Sequence, residues 1–243
     1  RSIHQLCPAI DIVGINSYGG IESLAKRYQA AGGTKPFIVT EFGLPGPWES
    51  PKNNFGASEE LTSTIKGDFY HRAFANGILA HDDICLGGYA FLWGAKREKT
   101  ETWFGMFLPD GTRLQAVDAI GELWSGKPPA NRCPKISSIA LGGGNQFKPG
   151  ETIHATVKID DPENDPLQVQ WILEREQTEL GEGGEIEPPT KVYPDAIISH
   201  SASGAEIKLP AESAVYRLYV YARDGKGGGA VANVPLLVGE NSK

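Results

Sequence analysis

The apolar positions change their period near the middle of the chain. In the first half, β-rich apolar runs alternate with stretches whose apolar residues recur at helical spacing, and in the second half apolar residues alternate in twos. Asp11-Ile12-Val13-Gly14-Ile15-Asn16-Ser17-Tyr18-Gly19-Gly20 reads as a strand stopped by a glycine pair. Ile21, Leu24, Ala25 and Tyr28 follow at the i, i+3, i+4, i+7 spacing of a helix that Gly32-Gly33 closes. Phe37, Ile38 and Val39 form the next run, of the kind expected for a parallel strand covered on both faces, and Glu41 stands at its C-terminal edge. A loop from Leu44 to Gly56, rich in proline, leads to Ser58, the expected N-cap of a helix with Glu59 and Glu60 in its first turn and Leu61, Ile65 and Phe69 along its stripe. Cys85 to Gly94 is a third buried strand, ending on Trp93, and Leu114, Val117, Ile120 and Leu123 mark a closing helix. Strand, helix and strand in this order predict right-handed βαβ units.

Gly126 to Pro134 is a Pro-rich exit without periodicity, which divides the chain into a first unit at 1–127, a linker at 128–134 and a second unit at 135–239. Beyond it, Val169, Trp171 and Leu173 fall on one face of one strand, and Tyr216, Leu218, Val220 and Ala222 on the inward face of another. With a third alternating run from Thr152 to Ile159 and short runs near Ile136, Ile197, Ile207 and Val234, about seven strands are expected, an immunoglobulin-like β-sandwich with Trp171 as its core indole. Residues 176 to 190, rich in Glu and Gly, read as a surface loop. The fold class expected is thus α/β plus all-β.

The 243 residues are ordinary globular material, 40% hydrophobic and 22% charged, enough for one large domain or two modest ones. A net charge of -7 argues against nucleic-acid and anionic-membrane partners, which need an excess of Lys and Arg on one face. No apolar run approaches the ~18 residues that a membrane span requires. Cys7, Cys85 and Cys133 are widely spaced and lack the spacing of a metal site, so they read as ordinary thiols and neither cofactor nor metal is expected. The acidic turn Asp160 to Asp165 offers oxygens of the type calcium takes, yet Asp and Asn are also common turn formers and no full ligand set at fixed offsets is present. The opening Arg1-Ser2-Ile3 resembles neither a start nor a leader, and the chain is read as a C-terminal portion.

The three strands end on Tyr18, Glu41 and Trp93, and in an α/β barrel such ends share the rim that carries the chemistry. A carboxylate beside a hydroxyl donor and a flat indole suits carbohydrate chemistry: the anion captures an oxocarbenium-like centre, the hydroxyl orients the anion, and the indole stacks on a sugar face. Asn16-Ser17-Tyr18, Val39-Thr40-Glu41-Phe42-Gly43 and Phe91-Leu92-Trp93-Gly94 resemble the sixth, seventh and eighth strands of a clan A glycoside hydrolase barrel, most similar to the family 2 type, over residues 8 to 127. The resemblance implies the C-terminal part of a (β/α)8 TIM barrel, a secreted or periplasmic setting, and a carbohydrate substrate. It places the nucleophile of a retaining mechanism on Glu41, the hydroxyl that contacts it on Tyr18, and the subsite floor on Trp93. Asn16, Trp48 and Trp103 are further substrate-binding candidates. The family's acid/base Glu belongs to the fourth strand, absent here, so this chain alone is expected to be inactive; Glu22, Glu49 and Glu101 have no sequence reason to replace it. Asp160 to Leu167 and Tyr221 to Gly228 resemble polycystic-kidney-type and cadherin-like modules. A non-catalytic sugar-binding or scaffolding protein and a β-glucanosyltransferase are the alternative readings.

Overall fold

A computed structural model describes residues 2–177 and 187–240. The first half runs through helix α1 (Ser2–Leu6), strand β1 (Val13–Ser17), helix α2 (Leu24–Ala30), strand β2 (Phe37–Phe42), helix α3 (Ser63–Gly77), strand β3 (Cys85–Ala90) and helix α4 (Gln115–Ser125). The strands form one parallel sheet in chain order, with Phe37 opposite both Val13 and Cys85. Val13, Phe37, Val39, Phe42 and Cys85 share a core with Tyr70, Ala73 and Phe74 of α3 and with Ala116 and Ile120 of α4. The other face is open. Gly14, Asn16 and Thr40 are exposed there, Ile38 is half-buried, and Leu86 is 56% exposed, so β2 is not covered on both faces as its apolar run predicts.

Helix α3 also departs from its expected form. Its N-cap is Thr62, whose Oγ1 accepts from the Ile65 N–H at 3.3 Å, while Ser58 is buried in the preceding loop and donates to the Pro47 carbonyl. Leu61 and Ile65 are each 42% exposed, and the buried face is Ser63, Lys66, Gly67, Tyr70, Ala73, Phe74 and Gly77. Close approach at two glycines selects this face. A Cβ on Gly67 would lie 2.6 Å from Gln115 Cγ, and one on Gly77 2.7 Å from Ile21 Cγ1, so α4 and the turn before α2 sit where only glycine admits them.

The second half contains β4 (Lys135–Leu141), β5 (Gln146–Phe147), β6 (Thr152–Asp160), β7 (Gln168–Arg175), β8 (Ile197–His200), β9 (Gly204–Lys208), β10 (Ala214–Arg223) and β11 (Gly229–Val238). Two four-stranded sheets, β5-β11-β10-β7 and β4-β6-β9-β8, enclose a core that includes Trp171, Leu173, Leu218 and Val220. Val220 pairs with Trp171 and Leu218 with Leu173, which sets residues that alternation places inward opposite one another, and the Tyr216 hydroxyl donates to the Glu212 carbonyl at 2.9 Å, tying down the corner that leads into β10. Strand order, the indole on β7 and this tyrosine corner define an immunoglobulin-like β-sandwich.

The outward face of β10, which alternation assigns to solvent, is buried as well. Tyr219 and Tyr221 pack with Leu108, Leu114 and Val231. Side chains from the first turn of α3 bond to the sandwich: Ser63 Oγ accepts from Val231 N–H at 2.9 Å and Thr64 Oγ1 from Ile136 N–H at 2.8 Å. Cys133, between the two halves, is buried and gives its N–H to Asp118 at 2.7 Å. Residues 178–186 of the stretch read as a surface loop lie outside the described residues, but Glu176 and Glu187 at its ends are buried in this contact rather than on the surface.

Candidate functional site

β1 and β2 place Tyr18 and Glu41 side by side at the C-terminal edge of the parallel sheet, where the Tyr18 hydroxyl donates to Glu41 Oε2 at 2.6 Å. Burial, this hydrogen bond and the charges of Glu41 and Glu98 together push the Tyr18 phenol far above its usual range, so it remains a donor throughout neutral pH. No other hydrogen bond reaches the Glu41 carboxylate among the described residues. Gly43 makes the approach of the strands possible, since a Cβ there would lie 2.7 Å from the Phe91 carbonyl oxygen and 3.3 Å from the Tyr18 ring.

Aromatic rings back the pair. Tyr18 meets Phe91 edge-on at 5.9 Å, Phe104 at 5.6 Å and Trp48 edge-on at 6.1 Å between centroids. Trp48 is 64% exposed and leaves an indole face open beside the Tyr18–Glu41 pair. Asn16, on the open sheet face, accepts from Thr40 Oγ1 at 2.6 Å.

Two expected positions differ. Trp93 does not join this cluster: its ring stacks on Trp124 of α4 at 6.4 Å and meets Phe107 edge-on at 5.0 Å, while Phe91 is the aromatic residue after β3 that reaches Tyr18. β3 ends at Ala90, so strand alternation no longer governs the residues beyond it. Trp93 instead borders an open groove of about 740 Å³ shared with Lys96, Phe107, Pro109 and Pro189. Trp103 is buried in the core, its indole N–H donating to the Pro45 carbonyl at 3.1 Å, rather than open beside the Tyr18–Glu41 pair. Trp103→Ala is expected to lower stability by about 3–5 kcal/mol, the range for deleting a core aromatic, whereas Trp48→Ala stays within about 0.5 kcal/mol, as exposed substitutions do. Denaturant melts of the two variants check this.

The sequence reading missed Glu98. It sits on a tight turn with Lys99 at φ 65° and Glu98 paired to Thr100, and it forms an ion pair with Lys96 at 3.3 Å. Its charge nevertheless acts on Tyr18. Glu22, Glu49 and Glu101 are engaged elsewhere, with Asn76, the Gly46 N–H and Arg97 respectively. At the acidic turn, Asp161 Oδ1 accepts from the N–H groups of Glu163 and Asp165, and Asp165 pairs with Lys226 at 2.6 Å. Among the described residues no cluster of His, Cys, Asp and Glu has the form of a metal site, and no helix is long and apolar enough to cross a membrane.

No family model and no curated protein matches the chain. Among solved structures, it is similar to the PKD domain of an M14-like peptidase from Thermoplasmatales archaeon SCGC AB-540-F20, with 15% identity and a TM-score of 0.28 over 46% of this chain and 100% of that one. It is also similar to the PmoD soluble domain from Methylocystis sp. ATCC 49242 (Rockwell), with 14% identity and a TM-score of 0.27 over 46% of this chain and 95% of that one. The class defined by the topology above is that of an immunoglobulin-like sandwich joined to an α/β unit.

Proposed function

We propose that this chain carries the nucleophile side of a retaining glycosidase site that hydrolyses O-glycosidic bonds in oligo- or polysaccharides, with residues 1–127 as the C-terminal part of a family 2-like (β/α)8 barrel. The observation that carries the reading is the 2.6 Å hydrogen bond from Tyr18 to Glu41 at the C-terminal edge of a parallel sheet. In a retaining mechanism the carboxylate must be ionised and held in line with the anomeric carbon. A phenol that stays protonated donates to one oxygen and leaves the other to attack. Attack forms the bond from the anomeric carbon to the Glu41 oxygen as the bond to the leaving oxygen breaks, and that oxygen takes its proton from an acid outside this chain. Water then releases the sugar.

Two further features favour this reading. Purely parallel sheets occur almost only with both faces covered, and the uncovered face here, with Gly14, Asn16, Ile38, Thr40 and Leu86, is the one a closing barrel would turn inward. The exposed indole of Trp48 offers a flat apolar surface of the kind sugar rings stack on. The test incubates the full-length protein with a panel of 2-deoxy-2-fluoro glycosyl fluorides and maps the adduct by peptide mass spectrometry. Adduct on Glu41 is expected. A different labelled carboxylate, with Glu41 untouched, removes the assignment.

A further inference from the structure

Beyond the pair itself, the contact between the two halves of the chain reaches the site through one continuous set of buried polar side chains. Arg217 of β10 is buried and gripped by Glu176 through two bonds of 2.6 and 2.8 Å; it donates also to the Ser58 carbonyl at 2.9 Å and to Asn233 Oδ1 at 2.6 Å. Asn233 of β11 donates to Glu60 Oε2 at 2.6 Å, and the other Glu60 oxygen accepts from Lys66 and from the Thr102 hydroxyl at 2.8 Å. Lys66 Nζ then donates to the carbonyls of Thr102 at 2.7 Å and Trp103 at 3.0 Å. All three ammonium protons are thereby used, as a buried lysine requires.

The backbone that Lys66 holds is the one that frames the site. Trp103 fixes the loop carrying Trp48 through its bond to Pro45, and Phe104, the next residue, packs its ring on Tyr18, Trp48 and Phe91. One turn along α3 from Lys66, Tyr70 donates to the Phe91 carbonyl, so the same helix face holds both backbone segments that back Tyr18. On the sandwich side, Glu174 and Glu176 pair with Arg97 and Lys99, which flank Glu98.

We propose that Lys66 is a positioning residue for the Tyr18–Glu41 pair, and that the sandwich sets its placement through Arg217, Asn233 and Glu60. The sandwich is then part of the site's scaffold rather than an appended module. The catalytic consequence rests on the reading of Glu41 as nucleophile; the positioning of Trp48 and Trp103 does not.

The experiment replaces the buried pair as a unit, Lys66→Met with Glu60→Gln, so that no lone charge is left inside. A second variant, Asn233→Ser, interrupts the set from the sandwich end and serves if the first does not fold. Each is prepared as the full chain with 5-fluorotryptophan, and the five indole resonances are assigned by single Trp→Phe substitutions. Fluorine shifts at Trp48 and Trp103 are expected while Trp171 in the sandwich core stays in place and melting remains cooperative. In the full-length protein, kcat/KM should fall by up to about 10²-fold, as it can when a change far from the chemistry misplaces the reacting groups by about 1 Å. Unmoved Trp48 and Trp103 resonances, or equal movement of all five with loss of cooperative melting, overturn the proposal. If the unaltered full-length protein has no glycosidase activity, the fluorine spectra still decide the positioning role, and only the reading of Glu41 falls.

Discussion

Glu41→Gln in the full-length protein is expected to reduce turnover by on the order of 10³-fold or more, a loss of ~4 kcal/mol of transition-state stabilisation at 1.36 kcal/mol per tenfold. The amide keeps the size of the carboxylate and accepts the Tyr18 hydrogen bond through its oxygen, so the fold should be unaffected. It is not an anion, and it cannot form the glycosyl ester that the second step hydrolyses. Tyr18→Phe separates orientation from chemistry: it removes the donor and leaves the carboxylate, and a loss of up to about 10²-fold is expected, the cost of misplacing a reacting group by about 1 Å. Initial rates on an aryl glycoside and thermal melts of both variants check these values. Glu41→Gln turnover within tenfold of the unaltered protein would show that the carboxylate is not the nucleophile.

The second large effect is on stability at high pH. Tyr70, Tyr219 and Tyr221 are buried, and burial pushes each phenol well above its usual value; the charges of Glu174, Glu60 and Glu101 add to this at Tyr221. At Tyr219 Arg217 pulls the other way but does not offset the burial. A group whose folded pKa lies above its unfolded value contributes stability that is complete below the unfolded pKa and is lost as pH rises toward the folded one. The unfolded phenol titrates near pH 10, so each of the three adds a dependence of about 1.4 kcal/mol per pH unit beyond that point. These three alone amount to about 4 kcal/mol per unit, with Tyr18 and Tyr216, also raised by burial, adding to it, enough to unfold a domain of typical stability within two or three pH units. Cys133, raised by burial and by Asp118, starts a smaller loss near pH 8.5. Urea midpoints from pH 8 to 12, recorded with phenolate absorbance, should fall together as the buried tyrosines ionise on unfolding. Ionisation of all eight tyrosines near pH 10 in a protein that stays folded would contradict these burial assignments.

The legibility of the chain differs between its halves for a physical reason. In the sandwich, inward residues alternate along each strand, so the inward placement of Val169, Trp171 and Leu173 and of Leu218, Val220 and Ala222 could be read from local order, while their pairing across the sheet came only from the structure. The two-residue β5 is too short to carry a period and was invisible. In the first half, the three strands and their helices were readable, but the face of α3 was not. Leu61 and Ile65 marked an apolar stripe, whereas the structure buries Lys66 together with Gly67 and Gly77, because the face is chosen by where neighbouring elements can approach. At the site, Tyr18 and Glu41 were legible because each stands within one residue of a strand's last position, and strand ends of a parallel sheet share an edge. Phe91 and Glu98 were not: Phe91, like Tyr18, is the first residue after its strand, but the apolar run continues past it to Trp93 and hides where the strand ends, and Glu98 lies in the loop beyond.

The sequence by itself determined what depends on neighbours along the chain: the period of each strand, the helices between them, and the residues at their ends. The tertiary structure alone decided what depends on residues far apart: that Tyr219 and Tyr221, placed outward by alternation, are covered by Leu108 and Leu114, and that Arg217, Asn233, Glu60 and Lys66 meet in one buried set. Each of these four polar residues looks like a solvated surface position when read locally. Only the closing of two apolar surfaces over them removes water, and from then on every polar atom must find its partner inside the protein.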